Sequence, residues 1–244
     1  MSLESNYIDI HSHILPGVDD GPDTMEQTIE MLKMADREHI TSIIATPHYE
    51  PGGDNPSVEC LKDIMNKVCQ EAHRINKGFR LYLGNEISYS ESVIDLLKSG
   101  EALTLAGSRY VLIEFLYGSS FRFMCQGINK LIYHGYIPIL AHVERYYHIH
   151  KKPDKIEELI NMGCYIQMNC GSIMGGFMNL EASYNRKLIK RGLVHFIGSD
   201  CHSDRIRVPI MQTAAKHLLR KSDDETVRKI FSENTAKVIE NIYI

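Results

Sequence analysis

The stretch YIDIHSHILPGVDDG, residues 7–21, runs from an apolar segment into two histidines one residue apart, His11 and His13, and then two adjacent carboxylates, Asp19 and Asp20. Side chains alternate along an extended chain, so a His-x-His pair turns both rings to one side, where two imidazoles can meet one cation. Further along, TPHY supplies His48, GNE supplies Glu86, LIEF supplies Glu114, AHVER supplies His142, Glu144 and Arg145, and GSDCH supplies Asp200 and His202, with Arg207 five residues later. Each has an ordinary explanation when taken singly: a hydrogen-bonded histidine pair, a salt-bridged glutamate, a solvated arginine. Gathered at one rim they would repel one another or lose hydration at heavy cost unless cations lay between them. Nitrogen and oxygen donors without cysteine suit Mn²⁺, Fe²⁺ or Zn²⁺ better than Ca²⁺. Five histidines and four or five carboxylates exceed what one ion can use, which points to two or three ions sharing a carboxylate. Such ions lower the pKa of a shared water and clamp a tetrahedral phosphorus centre. Arg145 and Arg207 would add planar, bidentate donors for phosphate oxygens.

Bringing these residues together requires a scaffold, and the chain shows a regular one. Seven short apolar runs recur, each followed by a loop and a stretch of helical spacing: YIDI from Tyr7, SIIAT from Ser42, RLYLG from Arg80, YVLIEF from Tyr110, IPILA from Ile137, CYIQMN from Cys164 and HFIGS from His195. They are mostly apolar, as strands buried on both faces must be. Helices are expected over 24–39, capped by Asp23 or Thr24, over 58–76, capped by Ser57, and over the closing DDETVRKIFSENTAKVIENI. The alternation predicts a parallel α/β barrel, with a doubly wound open sheet second. In either, a site forms beyond the C-terminal strand ends, and six of the seven strands deliver a carboxylate, an imidazole or both there. No low-complexity or Pro/Gly/Ser-rich linker divides residues 1–244, so one domain is expected.

Composition narrows the partners. The chain has 244 residues, 43% hydrophobic, and a net charge of −4, which supplies core material but no basic field for a nucleic-acid backbone. Nucleic acid is not an expected partner. Six cysteines without a CxxC pair suggest reduced thiols. The opening MSLESNYIDI lacks a charged-then-apolar signal segment, and no apolar run approaches the ~20 residues that span a bilayer. A cytoplasmic protein without membrane insertion is expected; a homo-oligomer stays open. His148 and His150 in YYHIHKK read as surface residues of a polar loop. CGSIMGGFM, residues 170–178, reads as a flexible loop lining the rim, adaptable to an aromatic substrate.

In order along the chain, DIHSHILPGVDDG, ATPHY, GNEI, LIEF, AHVER, QMNCGS and GSDCH resemble the motifs of the polymerase-and-histidinol-phosphatase (PHP) superfamily. Within it they are most similar to the bacterial capsule-type, manganese-dependent protein-tyrosine phosphatases. The resemblance runs from about residue 7 to about residue 210 and implies a distorted (β/α)7 barrel of the PHP type, TIM-like, with a trinuclear Mn²⁺ centre. Carried over, His11, His13, Glu86 and Asp200 resemble the ligands of a first ion. Glu86 bridges to a second held with Glu114 and His142, and Asp19, His48 and His202 form the third set, with Asp20 as the alternative to Asp19. Arg145 and Arg207 resemble the phosphate-holding arginines. Two departures stand out: Val143 where the family more usually has proline, and Cys201 where it more usually has a small residue. Neither removes a ligand.

The implied reaction is phosphomonoester hydrolysis, with hydroxide shared by two ions attacking phosphorus in line and the arginines neutralising the oxygens. Either His48 or His202 could donate a proton to the leaving group. The implied substrate is phosphotyrosine on a protein, in particular the tyrosine-rich C-terminal tail of a tyrosine autokinase controlling capsule or exopolysaccharide assembly. Histidinol phosphate or another small phosphomonoester is the alternative. CHSDRIR also fits Cys-x5-Arg, the spacing of cysteine-dependent phosphatases. It lacks glycine and puts Asp204 inside the would-be anion loop, which argues against that mechanism.

Overall fold

The computed structural model describes residues 6–176 and 178–244, so the start of the opening stretch and Phe177 of the Gly- and Met-rich loop lie outside the described residues. Among the described residues nine parallel segments occur where seven strands were expected: β1 (Tyr7–Ser12), β2 (Ile40–Ala45), β3 (His48–Tyr49), β4 (Arg80–Leu83), β5 (Glu86–Ser88), β6 (Tyr110–Glu114), β7 (Ile137–Leu140), β8 (Tyr165–Asn169) and β9 (Phe196–Gly198). Hydrogen bonding runs in the orders β1-β2-β4 and β3-β5-β6-β7-β8-β9. The extra segments arise because two strands are interrupted. Pro47, which has no N–H for the ladder, parts β2 from β3, and Gly84 with Asn85 parts β4 from β5.

The ladder continues across both breaks, because Gly84 N donates to Ala45 O at 2.9 Å and Glu86 N to Pro47 O at 3.2 Å. Buried Asn85 stitches the gap, donating to Pro47 O and accepting from Leu103 N, each at 2.9 Å. A Cβ on Gly84 would lie 2.9 Å from Leu105 Cδ2 and 3.1 Å from Leu105 Cα, so any larger residue here would push against the neighbouring segment. At the other seam β9 returns to β1: His13 N donates to Cys201 O at 2.9 Å and Asp200 N to His11 O at 2.8 Å. Seven strand positions thus form the distorted (β/α)7 barrel.

Helices α1 (Met25–Arg37), α2 (Val58–Ile75), α3 (Val93–Ser99), α4 (Phe121–Tyr133), α5 (Tyr147–His150), α6 (Pro153–Asn161), α7 (Cys170–Ile173), α8 (Leu180–Lys190) and α9 (Met211–Leu219) fill the connections. Thr24 rather than Asp23 caps α1, in a reciprocal box with Gln27, and Ser57 caps α2; each cap stabilises its helix by about 1 kcal/mol. The closing helix is one run with a π turn over Lys229–Glu233. Ile10, Ile44, Leu112, Ile139 and Phe196, from five different strands, meet in one cluster with Val238, which identifies the inner face. The larger cluster packs strands against helices, with Ile43, Val111, Leu140 and Ile166 against residues such as Leu32, Val68, Ile128 and Leu159. Among the described residues no helix is long and apolar enough to cross a membrane.

Two expectations fail outside the site. The first part of CGSIMGGFM, Cys170–Ile173, is the helical turn α7 with Cys170 and Ile173 buried in the core, rather than a flexible loop. His150 is fully buried in α5 rather than in a polar surface loop. Its Nε2 meets Asn185 Oδ1 at 2.5 Å, and its neighbour Ile149 is a core residue. The surrounding lysines of YYHIHKK hid a one-turn amphipathic helix. His148 is only half-buried.

Candidate metal centre

Strand geometry delivers the polar residues to one point. His11 ends its ring on the same side as His13, their Nε2 atoms 3.2 Å apart. A Cβ on Gly198 would lie 2.8 Å from His11 Cβ, so glycine at the end of β9 makes room for that ring. Glu86 opens β5 immediately after the second strand break, and its Oε2 lies 3.1 Å from His11 Nε2, 3.3 Å from His13 Nε2 and 3.2 Å from His48 Nδ1. Its other oxygen, Oε1, faces His142 Nε2 at 2.7 Å, and Glu114 Oε1 stands 3.4 Å from that nitrogen. Asp200 Oδ1 completes the first set, 3.4 Å from His11 Nε2 and 3.5 Å from His13 Nε2. Both His142 and Asp200 adopt positive φ, 31° and 51°. In non-glycine residues this costs about 1–2 kcal/mol each and aims a strand-end side chain inward.

Among the described residues, three sets of donor atoms each gather within 4.8 Å: His11, His13, Glu86 and Asp200; His48, Glu86 and Glu114; and His13, Asp20, His48 and His202. Donors around an ion at ~2.1 Å stand roughly 3–4 Å apart, so the spacing fits. Glu86 is common to the first two sets, its Oε2 facing His11, His13 and His48 while its Oε1 faces His142. Two further observations fit cations. Asp200 Oδ1 and His202 Nε2 are buried and make no hydrogen bond, and the set is rich in the nitrogen and oxygen donors that hold Mn²⁺, Fe²⁺ or Zn²⁺.

The structure reverses the order of the two aspartates. Asp19, expected in the third set, is turned inward: its Oδ2 lies 2.7 Å from His13 Nδ1 and accepts from His48 N at 3.0 Å, while Oδ1 accepts from Gly21 N at 3.0 Å. With both oxygens engaged it orients His13 from behind, as partners of metal-bound histidines commonly do. Asp20 stands in the donor set instead, its Oδ1 3.2 Å from His202 Nε2 and 3.4 Å from His48 Nε2. Two adjacent carboxylates on a loop carry no periodicity to say which faces in.

Electrostatics follow the geometry. Burial alone would push Glu86 up, but the contacts from His11, His13 and His142 outweigh it and hold the carboxyl well below its ordinary range. Burial likewise raises Asp19, and the His13 hydrogen bond and charge more than offset this, bringing it to about 2. His202 is lowered to about 4 by burial and by the charges of His13 and Arg207, which favours the neutral ring that ligation requires.

Arg145 and Arg207 converge on one atom. Asp200 Oδ2 accepts from Arg145 Nη2 at 2.6 Å and from Asn169 Nδ2 at 2.6 Å, and Arg207 Nη2 stands 2.5 Å away. Asp200 therefore presents one oxygen to the imidazoles and the other to two guanidiniums that remain about one-third exposed. Several supporting residues were not singled out in the sequence. Gln167 Oε1 accepts from His142 N at 2.6 Å and faces His11 Nδ1 at 3.3 Å, and its amide donates to Asn169 Oδ1 at 2.8 Å. Asp9 accepts from Ser199 N at 2.9 Å and Ser199 Oγ at 2.5 Å behind His11, and burial, partly offset by these bonds, leaves it at about 6. Their signal was polar residues inside otherwise apolar strands, at YIDI and YIQMN. Cys201 is buried, 1% exposed, and burial pushes its thiol well above the ordinary range, the opposite of an activated nucleophile.

Fold and site together define the PHP class, a parallel barrel whose strand ends converge on a rim of imidazoles and carboxylates able to hold several ions. The family model for capsular polysaccharide synthesis, CpsB/CapC, matches residues 7–240. The chain belongs to the CpsB/CapC family. It is 38% identical over 196 residues to the putative tyrosine-protein phosphatase CapC of Staphylococcus aureus, covering 80% of this chain and 77% of that protein. It is 32% identical over 235 residues to tyrosine-protein phosphatase YwqE of Bacillus subtilis (strain 168), covering 96% and 92%. Crystal structures of YwqE from Bacillus subtilis and CpsB from Streptococcus pneumoniae, described as unique metal-dependent tyrosine phosphatases, provide a fold match with a TM-score of 0.88 at 30% identity, covering 97% of this chain and 96% of that one.

Proposed function

We propose that this protein is a metal-dependent phosphomonoesterase that hydrolyses phosphotyrosine in proteins, with Mn²⁺ as the working ion. One observation carries the reading: two arginines meet at Asp200, whose other oxygen belongs to a buried donor set. A phosphate placed there touches planar cationic donors on one side and ions on the other. The relatives' names, tyrosine-protein phosphatases, support the same substrate class.

His11, His13, Glu86 and Asp200 would hold one ion; Glu86, Glu114 and His142, with His48 beside them, a second; and Asp20, His48 and His202 a third. Ions held there supply a nucleophile from water near neutral pH and positive charge for the phosphoryl oxygens. Arg145 and Arg207 orient the phosphate, and Asp19 and Gln167 fix the ring planes of His13 and His11. Both nitrogens of His48 face carboxylates, Glu86 and Asp20, and those of His202 face Asp200 O and Asp20. We therefore assign both rings to holding ions rather than to proton donation. A tyrosyl leaving group, with a pKa near 10, departs with less protonation help than an alkoxide. The reading extends to a tyrosine autokinase tail in capsule or exopolysaccharide assembly as the protein substrate.

The test is phosphate release from a phosphotyrosine peptide, a phosphoserine peptide and histidinol phosphate, each with metal-stripped protein before and after Mn²⁺ is restored. Turnover of phosphotyrosine that appears only with Mn²⁺ is the expected result. Metal-dependent turnover confined to histidinol phosphate would transfer the same site to a small-molecule substrate, and phosphotyrosine turnover indifferent to metal would refute the mechanism.

A further inference from the structure

We propose that Tyr117 is the residue that selects an aromatic leaving group, by offering its ring as a wall for the phosphotyrosyl ring. This rests on the phosphatase reading above and adds to it a determinant of specificity. Tyr117 lies three residues beyond Glu114, on the loop that leaves β6. Its hydroxyl accepts from Arg145 Nη1 at 3.4 Å. Edge contacts hold the ring from behind, with centroids 5.9 Å from Tyr146 and 6.4 Å from His142. Tyr146 is in turn fully buried, and its hydroxyl accepts from Phe115 N at 2.9 Å. The ring is therefore fixed on one side, yet Tyr117 remains 52% exposed. An aromatic side chain with a braced edge and an open remainder contributes little to the core and leaves a surface for a ligand.

Position decides what that ligand is. Arg145 touches both Tyr117 and Asp200, the latter at 2.6 Å. A phosphate gripped by Arg145 therefore lies within reach of Tyr117, and we place its ester oxygen, with the group that oxygen carries, beside that ring. A tyrosyl ring can stack offset or edge-on against it. A seryl methylene offers no such face, and inorganic phosphate offers nothing. Aromatic pairs of this kind correspond to about a three- to tenfold gain in affinity.

The proposal is tested by binding two ligands of equal charge that differ in the ring, phenylphosphonate and methylphosphonate, to the Mn²⁺-loaded protein by calorimetry. Wild type should bind phenylphosphonate about three- to tenfold more tightly. Tyr117→Ala should erase that preference by weakening phenylphosphonate alone, with methylphosphonate and the ion count changed less than about twofold. Tyr117→Phe, which keeps the ring and loses the Arg145 hydrogen bond, should retain the preference. In turnover of a phosphotyrosine peptide, Tyr117→Ala should raise KM with kcat nearly unchanged, because the ring contact is made before and during the reaction alike. Equal affinity of wild type for the two phosphonates, an equal loss of both in Tyr117→Ala, or loss of the preference in Tyr117→Phe would overturn the assignment. A fully metal-loaded wild type that binds neither phosphonate would instead sink the phosphatase reading, and the assignment with it.

Discussion

Asp19 and Asp20 are adjacent in sequence and opposite in environment, and substituting each should separate two roles. The Asp19 side chain is 6% exposed and engaged by His13, His48 N and Gly21 N; the Asp20 side chain is 63% exposed and faces His48 and His202. In the folded chain the Asp19 carboxyl is held at about 2 against an ordinary 3.8, a difference worth about 2–3 kcal/mol of stability at neutral pH. Because this folded pKa is depressed, the contribution is complete above about pH 4 and fades as the pH falls toward 2. For a chain of 244 residues, losing it lowers the melting temperature by about 5–10 °C. Asp19→Ala should show that loss in metal-stripped protein at pH 7, and the gap to wild type should narrow below about pH 4. Asp20→Ala should change stripped-protein stability by no more than about 0.5 kcal/mol, as exposed substitutions do, yet remove one ion when Mn²⁺ is restored. Thermal melts of stripped protein and elemental analysis after reloading and desalting give both readouts. An Asp20→Ala protein that keeps the full wild-type ion count would refute the assignment of Asp20 as a ligand, and an Asp19→Ala protein that melts with wild type would refute the bracing role of Asp19.

Other consequences are open to direct measurement. Asp200→Ala should lose ions and phosphatase activity together, whereas Cys201→Ser should keep both at some cost in stability; a Cys201→Ser protein with its full ion load and no activity would restore the cysteine mechanism. Arg145→Lys should lower kcat/KM on a phosphotyrosine peptide roughly ten- to hundredfold, the worth of a charge-assisted hydrogen bond, with the ion count intact, and an unchanged rate would remove Arg145 from the phosphate site. His195 is lowered to about 4 by burial and by the charge of Lys229, and its Nδ1 accepts from Ile166 N at 3.1 Å. The unfolded chain takes up that proton near pH 6.5 and the folded chain near 4, so stability should fall as pH drops through this window, by about 2 kcal/mol after allowance for the ring's partial exposure. His195→Gln should flatten that part of the urea-denaturation profile in stripped protein, and an unaltered profile would contradict the buried neutral ring.

The barrel was legible in the sequence because parallel strands covered on both faces must be apolar runs, and seven such runs alternate with helical spacing. The two interruptions were not, since SIIATPHY and RLYLGNEI each read as a strand and its loop. Only the packed structure shows the ladder resuming beyond Pro47 and beyond Gly84–Asn85. Those breaks matter to the site, for they turn His48 and Glu86 inward at the start of β3 and β5. The donor-bearing positions were visible as polar residues closing apolar runs, and His11, His13, Asp20, His48, Glu86, Glu114, Asp200 and His202 each stand in at least one of three donor sets, whereas Asp19 and Glu144 bond outside them. What distinguishes Asp20 from Asp19 is loop conformation, which leaves no trace in composition or period. Gln167 and Asp9 were hidden for a different reason: a single polar residue within an apolar strand looks like tolerated noise until its partners are known. Here those partners are His11, His142 N and Ser199. Burying an amide and a carboxyl is destabilising unless every bond is made, so their placement is best understood as the expense of holding two imidazoles in fixed planes. The polar interior of β1 and β8 follows from the rim it supports.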